Sequence, residues 1–474
     1  MAKIIALGAY FYQAVIAFGL LIIVAHWLAP ADYASYSLFI SICQFAAIAA
    51  FEWVRFACTR FYPGPDADSE AAERRTILVE ATVCAALCLA AASIAVFFGV
   101  PAVVALVGGL VSIAQGGSDL HLTMLRFRQD FRAFSVLQGS RATILAVGTL
   151  AGALASPTFL STVTGLLAGY AAYGLLASVL SRSPAARPTV ALETARFRKH
   201  LVYGSVSAGA ATAAMFAPLA LKTLLTSVLG ATGAAGALLA LDLLQRPFVL
   251  IVSALQAIQY PEIVAAHDRT DNRADLARTL GQYYALLASF ALMMAAGIFA
   301  VLLPVTWVVI SPDLQQGFLA TAPAIILISL ARTLTQIMLP TPLHLKQRLA
   351  LILLLAVIDC LLLNLGALAA LVVAGPSDTA LATGGAIGAV LATAFGLRLM
   401  AVLPFDLPWS PVLLAAAGLA TAGFAFALAG ETSYLAIGAG ILGGGVLCLL
   451  ALNQLRLMMR APKLAALQGW KQLR

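Results

Sequence analysis

The chain has 474 residues, of which 62% are apolar and only 10% charged, and its mean hydropathy is +0.98. Soluble domains carry roughly a quarter charged residues, so this composition excludes a soluble enzyme and points to a polytopic, all-helical membrane protein. The net charge of +8 does not indicate a nucleic-acid partner, because Lys and Arg punctuate the chain between apolar runs, as topology signals do.

Residues 1–29 hold one Lys and then an apolar run too long for a signal-peptide core, which predicts an uncleaved first span. Further runs long enough for a hydrocarbon core of ~30 Å are predicted at 35–54, 77–98, 102–124, 134–155, 159–180, 201–226, 234–258, 281–303, 317–340, 350–373, 380–403, 409–429 and 433–453. That makes about fourteen transmembrane helices. With the first span at 6–28 entering from the cytosol, the outer connections 29–34, 99–101, 156–158, 227–233, 304–316, 374–379 and 430–432 contain no Lys or Arg. The opposite connections contain Arg60, Arg74, Arg75, Arg126, Arg128, Arg132, Arg182, Arg187, Arg196, Arg198, Lys199, Arg269, Arg273, Arg278, Lys346 and Arg348, and the tail adds Arg456 to Arg474. This asymmetry predicts both termini in the cytosol. The longest hydrated stretches, 55–75 and 181–200, are too short for a soluble catalytic domain. The sequence has no GxxxxGK[ST] phosphate loop, so uphill work would draw on a gradient.

The joint Leu28 to Leu38 has a counterpart 201 residues later, Leu229 to Leu239, with six helices between equivalent ones. An even number preserves direction, which predicts parallel repeats about an axis along the membrane normal. The expected divisions are 1–199 and 200–404, each a six-helix bundle, and 405–474, two additional helices and a basic tail. Small residues four apart, Gly148 and Gly152, Gly165 and Gly169, Gly384 and Gly388, predict close helix approach within the bundle rather than a dimer contact. The six cysteines all lie in or at the ends of apolar runs. Cys84 and Cys88 share a helix face, which suits packing better than a metal or redox pair. Neither a metal nor a cofactor is called for.

The segment LAPADYASYSLF, followed by a second span ending in EWVRFACTRFYP, resembles the opening of the polysaccharide-transporter family, the Wzx-type flippases. The central SVLGATGAAGALLALDLLQRPF, with its Pro261-Glu262 exit, is similar as well. These flippases belong to the multidrug/oligosaccharidyl-lipid/polysaccharide (MOP) superfamily, together with the MATE drug exporters and lipid II flippases. The sequence departs from the family's pattern at Leu221-Lys222, where an Asp-Arg pair is common, and at Gly236-Ala237, where an aromatic often follows the glycine. The resemblance implies two six-helix bundles around a central cavity lined by helices one, two, seven and eight. It also implies an undecaprenyl-diphosphate-linked oligosaccharide carried across a bacterial inner membrane by alternating access, with coupling to protons or another cation left open. Membrane lipid, the lipid-linked glycan, a polysaccharide polymerase and a chain-length regulator are the implied partners. The alternatives are a MATE-like exporter and, from another class, a membrane-embedded polymerase or glycosyltransferase.

A diphosphate headgroup needs fixed cations in a wet cavity, and Arg suits it through its planar fork. Arg246 is the foremost candidate, roughly 18 Å down its helix from Ala234 at 1.5 Å per residue. Pro247 directly follows and is expected to break the helix, giving the lower half a fresh, anion-attracting start; Pro218 is the second hinge candidate. The competing reading pairs Arg246 internally with Asp242, one turn before it. Lys222 either snorkels to the outer surface or faces the cavity. Arg141 and Arg332 are expected to form inter-helix pairs, for instance with Asp359 or Glu80. Arg55, three residues after Glu52, either marks the interface or meets the incoming diphosphate first. Asp119 and His121 are assigned to the wet end of the fourth helix, and Gly230 to a flexible turn.

Overall fold

The computed structural model describes residues 2–64, 66–180, 193–268, 273–400, 402–429 and 434–472. Arg182, Arg187, Arg269 and the outer connection 430–432 lie outside the described residues. Among those described, the secondary structure is helical throughout, in the order α1 (Ala2–Trp27), α2 (Pro30–Phe61), α3 (Ala67–Phe97), α4 (Ala102–Phe127), α5 (Phe131–Ala155) and α6 (Phe159–Leu180). A long helical stretch, Thr194–Asp268, leaves helical φ/ψ only at Gly230, and its limbs are α7 (194–229) and α8 (231–268). There follow α9 (Arg273–Val309), α10 (Pro312–Thr333), α11 (Leu349–Ala374), α12 (Asp378–Met400), α13 (Trp409–Ala429) and α14 (Tyr434–Gln472). A π-helical turn, Leu334–Met338, and a one-turn helix, Thr341–Leu345, continue α10. Fourteen helices of membrane-crossing length therefore form among the described residues, and eleven stretches there are both long and apolar enough to cross a membrane, the two limbs around Gly230 counting as one.

Several predicted connections shrink to a few residues. The 304–316 connection reduces to Ile310 and Ser311, because α9 passes through Pro304 and Pro312 opens α10. At a first-turn position the missing proline N–H has no intrahelical partner to lose. α3 starts with Asp66 as its cap, the carboxylate accepting the Ser69 N–H at 2.7 Å, a bond that also holds this carboxyl below its usual pKa. The break between α1 and α2 falls at Leu28 and Ala29, and the break at Gly230 lies 201 residues after Ala29. Gly230 has φ +73° and ψ 168°, a region in practice reserved for glycine.

The chain forms two compact units, Met1–Leu239 and Ala240–Arg474. In the first, α4 packs on α3 and α6, and α5 on α6; in the second, α10 packs on α9 and α12, and α11 on α12. These are equivalent pairings under the sixfold helix repeat. The Gly pairs lie at the corresponding contacts. A Cβ on Gly148 or Gly165 would run into the facing backbone of the other, and one on Gly384 or Gly388 would strike Gly366 O or Leu362 O. α13 and α14 pack on each other and on α9.

Sidedness follows helical spacing. On α11 the exposed residues Leu354, Val357, Leu361, Leu365 and Leu368 form one apolar stripe, with Leu355, Asp359, Leu363 and Ala367 buried opposite. An exposed leucine stripe beside a buried carboxylate is the arrangement lipid requires and water does not. On α3 the buried face is Glu73, Ile77, Glu80, Cys84 and Cys88, which packs with Phe51, Val54 and Cys58 of α2. Cys84 and Cys88 are thus packing residues; the Cys84 thiol donates to Ala50 O at 2.9 Å.

Candidate functional site

In the first unit, α7 runs antiparallel to α2. Phe197 meets Trp53, Phe216 meets Phe45, and a Cβ on Gly204 would run into Trp53 O. This register carries Lys222 onto α2, where its ammonium donates to Ser37 Oγ at 3.0 Å and Ser41 Oγ at 2.8 Å. The side chain is buried, so the snorkelling expected as one outcome for Lys222 does not occur. Two hydroxyls on one face of α2, one turn apart, give the ammonium bonds that the outer surface would otherwise supply.

Arg55 pairs with Glu52 on the same helix, the carboxylate buried and the guanidinium half-exposed. Arg141 is buried on α5 and bonds across to α4, with Nη1 donating to Asp119 Oδ1 at 2.5 Å and to Ser118 Oγ at 2.9 Å. Neither partner expected for Arg141, Asp359 or Glu80, is used. Asp119, its side chain one-third exposed, thus belongs to an inter-helix pair, because α5 brings Arg141 alongside it.

Glu80 is instead engaged by His200, a residue the sequence reading passed over. His200 Nδ1 lies 3.0 Å from both Glu80 carboxylate oxygens, and Nε2 lies 2.9 Å from Glu73 Oε2 without the alignment of a hydrogen bond. Arg196 Nη1 closes the group on Glu73 Oε1 at 3.1 Å. The available signal was the face of α3 itself: Glu73 and Glu80 lie two turns apart in register with Ile77 and Cys84, so both carboxylates had to face inward and find a cation.

In the second unit, Arg246 is exposed, and its Nε donates to the backbone carbonyl of Asp242 at 3.0 Å. Its terminal guanidinium nitrogens have no partner among the described residues. The expected helix break at Pro247 does not form. Backbone torsions stay helical through Pro247, as they do through Pro218, and the single departure is Gly230. The anion-attracting helix start expected after Arg246 is therefore absent, and what remains at this position is the guanidinium. Proline deprives only the Leu243 carbonyl of a donor.

Arg332 and Asp359 form a fully buried pair, Nε to Oδ2 at 3.1 Å, to which Gln336 Nε2 adds a bond at 3.3 Å. The π-helical turn that begins two residues after Arg332 widens α10 here, and such turns are frequent at functional positions. Beside it Thr335 and Thr393 share a bond at 2.9 Å. No cluster of three or more metal-ligating side chains occurs among the described residues.

No family model matches the chain, and no curated protein matches it. Solved structures do. An inward-facing multidrug-resistance MATE transporter of the MOP superfamily is 15% identical, with 82% of this chain and 94% of that one covered at a TM-score of 0.62. The lipid II flippase MurJ, in an inward closed conformation, is 12% identical, with 94% and 98% covered at 0.61. A MOP superfamily transporter from Pyrococcus furiosus, described as having a binding pocket of reverse polarity, is 14% identical, with 85% and 93% covered at 0.50. At such identities the likeness shows the fold, which is that of MOP superfamily transporters.

Proposed function

We propose that this protein is a secondary transporter of the MOP type that moves an anionic lipid-linked oligosaccharide, of the undecaprenyl-diphosphate class, between membrane leaflets. Its fold supports transport, and multi-pass insertion follows from eleven apolar stretches of membrane-crossing length. The observation that carries the cargo's charge is Arg246. It is an exposed guanidinium whose terminal nitrogens have no partner among the described residues, inside an apolar helix, roughly 22 Å from that helix's start by the rise per residue. A planar fork held only at Nε leaves its bidentate edge for a phosphate.

The main rival within the fold is export of cationic drugs, which calls for available carboxylates. Among the described residues the buried carboxylates are Glu52, Glu73, Glu80 and Asp359. Each already has a basic partner, in Arg55, Arg196 with His200, His200, and Arg332 respectively. Anionic cargo is favoured on this count.

The test is export complementation in a strain lacking a lipid-linked-oligosaccharide flippase, with protein level in the membrane measured in parallel. Arg246→Ala is expected to abolish export at normal protein level, and Arg246→Lys, which keeps charge but loses the fork, to restore part of it. Full export by Arg246→Ala would reject the reading.

A further inference from the structure

The starts of α3 and α7 hold a group of ionisable side chains that the transport reading leaves unused. His200 is 0% exposed, as is Glu80, and Glu73 is nearly so. The imidazole lies flat on Phe61 of α2, centroids 5.3 Å apart and planes within 4°, and Lys199 Nζ sits 4.1 Å from the same ring. The other charged or titratable groups about the cluster are Arg196 on α7 and Glu193 just before it, which pair at 2.9 Å, Asp66 before α3 in electrostatic reach of Arg196, and Cys58 on α2 in reach of both carboxylates and of Arg126 on α4. A cavity of about 410 Å³, lined by Phe61, Gly64, Ser69, Glu73, Arg196 and Lys199, reaches Glu73 but not Glu80.

A neutral imidazole has one N–H and one lone pair, yet both ring nitrogens of His200 lie at 3.0 Å or less from carboxylate oxygens on opposite sides. With both carboxylates ionised and the ring neutral, a lone pair would face a carboxylate in a dry site. The packed arrangement therefore holds one additional proton, whether on the ring or on a carboxyl group, and Arg196 balances the remaining negative charge. Because the cavity opens at Glu73, solvent has a route to the ring and, through the ring, to Glu80. Loss of the proton leaves two carboxylates and a neutral ring around one Arg, and separation of α7 from α3 then hydrates the carboxylates.

We propose that His200, Glu73 and Glu80 form a proton-binding latch, in which a shared proton holds the start of α7 against α2 and α3 and its loss releases that end. The latch goes beyond the transport reading and needs no particular cargo.

The experiment measures the distance between nitroxide labels at Leu78→Cys on α3 and Val202→Cys on α7, both exposed positions. It uses the full-length chain with its native cysteines replaced, in lipid nanodiscs from pH 5.5 to 9.5. The expected result is one short-distance population in acid and a longer one that reaches at least half of the molecules in base. His200→Gln should show the same distribution at both ends of the range. Should that variant not fold, Glu80→Gln, which removes one carboxylate and keeps its shape, should lower the midpoint by about one pH unit or more. A wild-type distribution indifferent to pH, a His200→Gln response equal to the wild type's, or an unmoved Glu80→Gln midpoint would each overturn the latch.

Discussion

Removing one partner of the Arg332–Asp359 pair provides the sharpest test of how the second unit is held together. Both side chains are buried almost completely, and the Asp359 carboxylate receives Arg332 Nε and Gln336 Nε2 on a single oxygen, Oδ2, while Oδ1 has no bond. Arg332→Leu leaves that carboxylate with one amide donor and no cation. Stranding one member of a buried pair costs about 3 to 5 kcal/mol, which at 1.4 kcal/mol per factor of ten lowers the folding equilibrium constant by roughly two to three and a half orders of magnitude. Asp359→Leu alone takes the carboxylate from a buried guanidinium and is expected in the same range. The double variant Arg332→Leu/Asp359→Leu removes both desolvated charges, and apolar replacement of a buried pair is often neutral or better. The assay is reversible unfolding in mixed micelles with increasing SDS, followed by tryptophan fluorescence. The double variant is expected to be more stable than either single one, with a coupling energy of about 3 kcal/mol or more. Additive losses would refute the claim that the two residues act as a desolvated pair.

Three further outcomes follow from geometry. Gly230→Ala should destabilise by about 1 to 3 kcal/mol because its φ of +73° and extended ψ suit glycine alone, whereas Gly233→Ala, at a helical position with room for a Cβ, should be tolerated; equal tolerance in a thermal-shift measurement would contradict the sharp joint. Gly165→Leu and Gly384→Leu should each prevent α5–α6 or α11–α12 from closing, costing more than the ~1 to 3 kcal/mol of ordinary overpacking because the obstructing atoms are backbone; normal yield of monodisperse protein would argue against direct backbone contact. Lys222→Met, similar in length but without the charge, should leave the Ser37 and Ser41 hydroxyls short of a donor and lower stability by about 1 to 3 kcal/mol in the SDS assay; a silent substitution would place the ammonium at the surface after all.

Much of the architecture is local in its causes, and those parts were legible. Span lengths follow from runs of apolar residues, the two joints from the Leu28 and Leu229 segments, and the tight helix pairs from glycines four apart. The site was legible where partners lie within a helical turn, as for Glu52 with Arg55, and in one inter-helix pair, Arg332 with Asp359, where two intramembrane charges of opposite sign had to find each other. His200 with Glu80 spans 120 residues and Arg141 with Asp119 spans 22; such partnerships depend on how helices pack, and no periodicity states them. Pro247 misled for a related reason. The backbone stays helical through the proline, and the kink falls at Gly230, which is free to take a positive φ.

The glycine contacts carry a mechanical implication. Where α5 meets α6 and α11 meets α12, main chain rests on main chain, with no side-chain cushion to deform. Each pair should behave as a stiff double beam throughout any working cycle. Bending would then concentrate at the one- and two-residue knuckles at 28–29 and 230, and a substitution that stiffens a knuckle should slow turnover even in a protein that folds and inserts normally.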